Sequence, residues 1–215
     1  MLSLDDLGDV NRMISIDMET TGMRTPTAAE IRKMPKGYRL PGLVIEIGCV
    51  ELLRDGAGWK TGETWHRRVQ PNGPISKASI AVHGIHPADL KDAPPFKDVL
   101  DDFEAFIGQD VLLAHSAENE MDFLNFEYAR LGRCGFDEVI FADSDFVCTQ
   151  ELSRSFFPGA PGSLDVLCDR LWIDRSDRFQ HHGALLDAIL TAEAFLKMQG
   201  GFVQDDTRSV SFGDP

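Results

Sequence analysis

A chain that runs its first strand into two acids must give those acids something to face. Residues 13–17 form a short apolar run with β-branched side chains and read as a strand. The run continues into Asp17-Met18-Glu19-Thr20-Thr21-Gly22. Residues i and i+2 of a strand point to one face, so Asp17 and Glu19 project side by side from its end. Two carboxylates that close repel each other unless a cation lies between them or one takes a proton. Hard divalent ions such as Mg2+ favour oxygen ligands of this kind. Read alone, the pattern also fits a strand running into a turn with two solvated acids.

The remaining pattern sets the fold class. Residues 43–53 and 63–70 read as two further strands, joined by the turn signal Arg54-Asp55-Gly56-Ala57-Gly58. With the first strand they make an antiparallel meander. Strands then alternate with helices. Short strands are expected at 111–114 and 139–142. Helices are expected at 76–82, 96–107, 117–131, 149–156, 164–171 and 184–198, with Gly84, Gly132 and Pro158 among the stops. This order predicts an α/β fold, a mixed five-stranded sheet flanked by helices. The length of 215 residues suits one domain, placed at residues 12–199. An N-terminal extension, residues 1–11, precedes it, and a polar tail, residues 200–215, follows. The Pro- and Gly-containing segment from Arg24 to Gly42 leaves room for a short helix at 27–34, capped by Thr27.

Composition excludes several classes. No window approaches the roughly 18 consecutive apolar residues of a membrane span. The first eleven residues carry Asp5, Asp6 and Asp9 and no base, so no secretory signal is read there. Cys49, Cys134, Cys148 and Cys168 form no C-x-x-C pair, which fits reduced thiols in the cytoplasm rather than a zinc site or disulfide framework. The net charge of −14 argues, taken alone, against a general nucleic-acid binder. Metal ions in an acidic site reverse that local charge. The bases are also unevenly placed: Arg24, Arg32, Lys33, Lys36 and Arg39 fall close together, with Glu30 as the acid among them.

Two further features bear on the acids. On a helical wheel for residues 117–131, Glu120 falls within the stripe of Met121, Phe123, Leu124, Tyr128 and Leu131, and Asp122 falls opposite. A buried carboxylate needs a partner, either a metal or an arginine. Near the C-terminus, His181-His182-Gly183 leads into a helix carrying Asp187 one turn in. A loop histidine above carboxylate-bound metals is suited to general-base work, and its ordinary pKa fits neutral pH. Together, Asp17, Glu19, Glu120, Asp187 and a histidine equip a two-metal phosphodiesterase.

The ordered motifs carry a family resemblance. The D-x-E-T-T-G stretch, Val44-Ile45-Glu46-Ile47-Gly48, Val82-His83-Gly84-Ile85, the region from His115 to Leu124, Phe157-Pro158-Gly159 with Ser163-Leu164-Asp165, and His182 to Asp187 resemble the DEDDh 3′→5′ exonucleases across most of the chain. The resemblance implies a ribonuclease H-like fold. It implies two divalent ions, Mg2+ or Mn2+, held by Asp17, Glu19, Glu120 and Asp187, with His182 as general base. It puts Thr20, Thr21, Gly22, Met23, His83 and His115 near the substrate. That substrate is a nucleic-acid 3′ end, DNA before RNA, and a DNA polymerase or a sliding clamp is a candidate partner.

Three departures stand out. The family's aspartate in the second motif is Glu120 here, one methylene longer. The basic segment 24–42 is longer than usual and could meet phosphates along the substrate strand. Residues 207–212 occupy the place of a clamp-binding peptide but lack its leading Gln. The rival expectations are the same chemistry on RNA, and a nucleic-acid-binding protein weakened at Glu120.

Overall fold

The computed structural model describes residues 1–22, 41–178 and 182–200. Its sheet has five strands: β1 Arg12–Thr20, β2 Val44–Asp55, β3 Gly58–Arg68, β4 Val111–Ala114 and β5 Phe146–Cys148. The spatial order is β3-β2-β1-β4-β5. The first three strands pair antiparallel, as the hairpin signal at residues 54–58 requires. β4 then joins β1 in parallel, and β5 joins β4 in parallel. This is the mixed, helix-flanked sheet that the strand and helix order predicts, and it fits the ribonuclease H-like fold that the resemblance implies.

β1 is central and buried on both faces, so its run is apolar rather than strictly alternating. Ile14, Ile16 and Met18 pack into one core with α2 (Phe96–Ile107) and α3 (Ala117–Arg130). Met13 packs on the opposite side with Ala188, Ala192 and Phe195 of α6 (Ala184–Gln199). Ser15, buried on the α6 side, donates its hydroxyl to the Ala188 carbonyl at 2.7 Å. Three shorter helices complete the layers: α1 Lys77–His83, α4 Thr149–Phe156 and α5 Leu164–Arg170. The N-terminal residues lie against the sheet. Leu2 bridges to Val147, and Leu7 is buried in the α6-side core.

One expected strand is absent. Residues 139–142 form an irregular segment in which Val139 is 68% exposed. The Asn125 side chain accepts from the Ile140 and Phe141 amides, each at 2.9 Å, and donates to the Phe141 carbonyl. A helix side chain therefore satisfies this backbone, and the fifth strand forms later, at Phe146–Cys148. That strand is short and passes directly into α4 without a turn signal. The third strand begins at Gly58, earlier than the expected residue 63. The expected helix at 27–34 and most of the tail at 200–215 fall outside the described residues.

Gly48 fixes how closely α6 approaches the sheet. A Cβ at this position would lie 2.2 Å from the Leu185 backbone nitrogen. Gly48 is the register partner of Asp17, so this approach also sets the distance between β1 and the helix that carries Asp187. Overpacking of this kind costs about 1–3 kcal/mol. Gly48→Ala is expected to destabilise the protein by that amount in urea unfolding, with the loss absent from Gly8→Ala, where nothing lies within 4 Å of the added Cβ and φ is an ordinary −53°.

Candidate active site

The carboxyl end of β1 lies beside that of its parallel neighbour β4, and helices from both faces of the sheet converge there. Crevices outside the carboxyl ends of parallel strands are where open α/β sheets bind ligands. A cleft of about 340 Å³ opens at this point. Asp17 and Glu19 project into it from β1, on the α6 side of the sheet. Glu120 enters from the first turn of α3, and Asp187 from the first turn of α6. His182 reaches it from the residues just before α6. Asp122 is exposed and does not line the cleft, so the two acids of α3 lie on the sides that the wheel gives them.

Burial and mutual repulsion dominate the electrostatics. Burial, and then the charges of Glu120, Asp187 and Glu19, hold the Asp17 carboxyl well above the usual range. Burial and then Asp187 push Glu19 up to about 8. Glu120 is raised by burial and then by Glu19 and Asp187, with the Met18 backbone offsetting part of the effect. Glu120 Oε2 is buried without a hydrogen-bond partner among the described residues. Donor atoms of Glu19, His182 and Asp187 lie within 4.8 Å of one another, a grouping that could hold a metal ion. Oxygen-rich donors, an orphaned buried carboxylate oxygen and raised acid pKa values all fit hard divalent cations.

The arginine considered as a partner for Glu120 is instead paired with Asp187. Arg178 Nε and Nη2 hold the two Asp187 oxygens at 2.5 and 2.9 Å, and Nη1 donates to Asp165. Asp165 belongs to the Ser163-Leu164-Asp165 motif, so Arg178 physically links that motif to the stretch from His182 to Asp187. A carboxylate given no role in the sequence reading is Glu46. It is buried and directly opposite Glu19 in the sheet. Its oxygens accept from His66 (3.1 Å), Arg68 (3.0 Å) and the Ala184 amide (2.9 Å). These bonds overcome burial and bring its pKa down to about 2. Glu46 thus ties the N-terminus of α6 to β2. The available signal was an acid within the apolar run Val44 to Ile47; Arg178, a loop arginine, had none.

The residues expected near substrate differ in placement. Thr20, His83 and His115 line the cleft. His83 is buried: its Nδ1 accepts from the Ile85 amide at 3.0 Å, and its Nε2 faces the Thr20 carbonyl at 3.3 Å. His115 is held by Thr149 Oγ1 and the Gly162 carbonyl, both at 2.9 Å. Burial pushes its pKa down, which keeps the ring neutral. Both rings present a surface to the cleft while their nitrogens face protein. Thr21 is turned inward, accepting from the Leu43 amide at 2.9 Å. Gly22 sits behind it at φ 76°, where an added Cβ would meet Ser79 Oγ at 2.2 Å. Met23, His181 and the basic side chains Arg24, Arg32, Lys33, Lys36 and Arg39 lie outside the described residues.

A carboxyl whose folded pKa exceeds its unfolded value binds more protons when folded, so its contribution to stability falls as pH rises between the two values. For Glu19 that window runs from its ordinary 4.5 to about 8. Asp17 and Glu120 shift in the same direction. The histidines oppose this below their ordinary pKa, so the informative quantity is a difference between variants. The melting-temperature advantage of metal-free Glu120→Gln over wild type is expected to grow from pH 5 to pH 8. Added Mn2+ should stabilise wild type more than the variant at pH 8. An advantage that is flat in pH would contradict the repulsion.

A protein-family model described as "Exonuclease" matches residues 14–195. The chain is 36% identical over 209 residues to DNA polymerase III subunit epsilon of Haemophilus influenzae, covering 94% of this chain and 74% of that protein. It is 36% identical over 191 residues to the same subunit of Rickettsia prowazekii, covering 88% and 75%. Among solved structures, Exonuclease X in complex with 5′-overhanging duplex DNA superposes with a TM-score of 0.59 at 22% identity, over 88% of this chain and 90% of that one. The nuclease domain of 3′hExo, a DEDDh family member bound to rAMP, gives 0.65 at 19% identity, over 90% and 94%. Fold, ordered motifs and sequence identity agree that this chain belongs to the exonuclease family, as a 3′→5′ exonuclease similar to the epsilon subunits of bacterial DNA polymerase III.

Proposed function

We propose that the protein removes nucleoside monophosphates one at a time from single-stranded or frayed DNA 3′ ends, in proofreading or repair. The observation that carries this reading is the convergence of Asp17, Glu19, Glu120, Asp187 and His182 on one cleft. Asp17, Glu19, Glu120 and Asp187 would hold two divalent ions, Mg2+ or Mn2+. Such ions, when bound, supply positive charge against the attacking and leaving oxygens of phosphodiester hydrolysis.

The chain's own groups do the remaining work. His182 is half-buried at the mouth of the cleft and acts as the general base, taking the proton of the attacking water. Burial, and then the neighbouring Arg178, push its pKa down against the pull of Asp187, so the ring is neutral at physiological pH. Thr20, with the backbone through Thr21 and Gly22, lies beside the acids and positions the terminal nucleotide. His83 and His115 brace the cleft walls, presenting ring surface to the nucleotide. Leu164 and Phe123, which also line the cleft, supply apolar contact. Met23 and the basic segment 24–42 follow the first motif directly and are proposed to run along the substrate strand.

The likeness to epsilon subunits supports DNA over RNA and a DNA polymerase as partner. A clamp contact through residues 207–212 rests on sequence position alone. The test is incubation of a 5′-labelled single strand with Mg2+ or Mn2+. A ladder shortening by single nucleotides is expected, abolished by Asp17→Ala. His182→Ala should lower the rate by about 10²–10⁴. Glu120→Ala should lower it by roughly a hundredfold, the scale of ångström-sized positioning errors. An unchanged Glu120→Ala rate removes that residue from the site. Faster loss of a matched RNA oligomer would reassign the substrate.

A further inference from the structure

Arg178 lies among the acids, and the proposed reaction gives it no step of its own beyond its effect on the His182 ring. It is buried at the end of a short 3-10 turn, Ser176–Arg178, with 9% of its surface exposed. Besides both oxygens of Asp187 and one of Asp165, its Nη2 meets His182 Nδ1 at 3.0 Å. A guanidinium has donors only, so Nδ1 is the acceptor in this contact. A neutral imidazole carries its one hydrogen on the other nitrogen, here Nε2. Neither ring nitrogen is then open to a proton: Nδ1 has its lone pair engaged, and Nε2 already holds the hydrogen. Asp187, meanwhile, has both oxygens occupied by the same guanidinium.

We propose that Arg178 is a positioning residue that stands in for a divalent cation, holding Asp187 and His182 in the metal-free protein and releasing both when a cation binds the acids. The inference rests on the nuclease reading above for the roles of Asp187 and His182. Two like charges cannot share the same carboxylate closely without mutual repulsion, so a cation at Asp187 and the guanidinium compete. Asp165 gives the displaced group a place to stay. It lies on α5, already accepts from Nη1, and is 40% exposed at its side chain, outside the buried acids. Cation binding thereby becomes coupled to freeing the base.

The test uses the full chain as wild type, Arg178→Gln, Arg178→Lys and Asp17→Ala. Calorimetric titration with Mn2+ alone should show Arg178→Gln binding on the order of tenfold tighter than wild type, about one pKa-unit equivalent of repulsion removed. A merely structural arginine predicts the opposite, weaker binding through a disordered Asp187. Nitrogen spectra of protein labelled in its histidines give the second readout. Metal-free wild type should carry the His182 hydrogen on Nε2. Adding Mg2+, or replacing Arg178 with Gln without metal, should move population toward Nδ1. Arg178→Lys keeps the charge but cannot span Asp187, Asp165 and His182. It should bind Mn2+ about as wild type does and still show the metal-free shift at His182, so it serves if the Gln variant does not fold.

Unchanged or weaker Mn2+ binding by Arg178→Gln, or a His182 spectrum insensitive to Arg178 in either variant, overturns the proposal. If wild type degrades DNA, Asp17→Ala does not, and Arg178→Gln binds Mn2+ less tightly, the stand-in role fails and the nuclease reading survives. If Arg178→Gln tightens Mn2+ binding while wild type cleaves no nucleic acid, the exchange of arginine for cation holds and the nuclease reading fails.

Discussion

Carboxylates crowded into one partly buried cleft repel each other, and the structure around them is arranged to keep them there. Asp17, Glu19 and Glu120 are all held above their ordinary pKa values by burial and by one another. A fold gains nothing in stability from such an arrangement. Strained or destabilised groups that persist in a well-packed frame point to function. The frame here is well packed: β1 is buried on both faces, and the helices beside it close apolar cores on each side. Under the proposed reading the repulsion is the stored drive for cation binding.

The frame reaches the acids through a few specific contacts. Gly48 lets the α6 backbone approach the sheet at Leu185. Ser15 and Glu46 then fasten the helix, one to the Ala188 carbonyl and one to the Ala184 amide. These contacts fall three residues before Asp187 and one residue after it. On the other face, α3 follows β4 after only His115 and Ser116, so Glu120 is delivered to the strand ends within one helical turn. Glu46 and Glu19 face each other across the sheet, yet they behave oppositely. Glu46 is brought low by His66, an amide and Arg68 in spite of its burial, whereas Glu19 is pushed up by burial and then by Asp187 and Glu46. Hydrogen-bond donors, rather than burial alone, separate a structural carboxylate from one poised to bind a cation.

Much of this was legible in the chain, and the gaps have physical causes. The hairpin strands, the helices Phe96–Ile107 and Thr149–Phe156, and the strand Val111–Ala114 follow from local periodicity and turn residues. The burial of Glu120 against the exposure of Asp122 follows from helical geometry. Residues 139–142 looked like a strand because apolar β-branched residues read the same whether they pair or not. Asn125, fourteen positions upstream of Val139, decided the matter by taking their amides. Phe146–Cys148 was too short to show a period. Arg178 could not be found from its neighbours, because its partners Asp165, His182 and Asp187 meet only in the folded chain. The inward turn of Thr21 and the protein-facing nitrogens of His83 and His115 are likewise tertiary facts.

The central claim is that acids from one strand and two helices form a single cation-binding centre. A crystal soaked in MnCl2 and measured at the manganese absorption edge tests it most directly. The account predicts anomalous density within ligand distance of Asp17, Glu19, Glu120 and Asp187. Anomalous peaks confined to other surface acids, with this cleft left bare at saturating manganese, would contradict it.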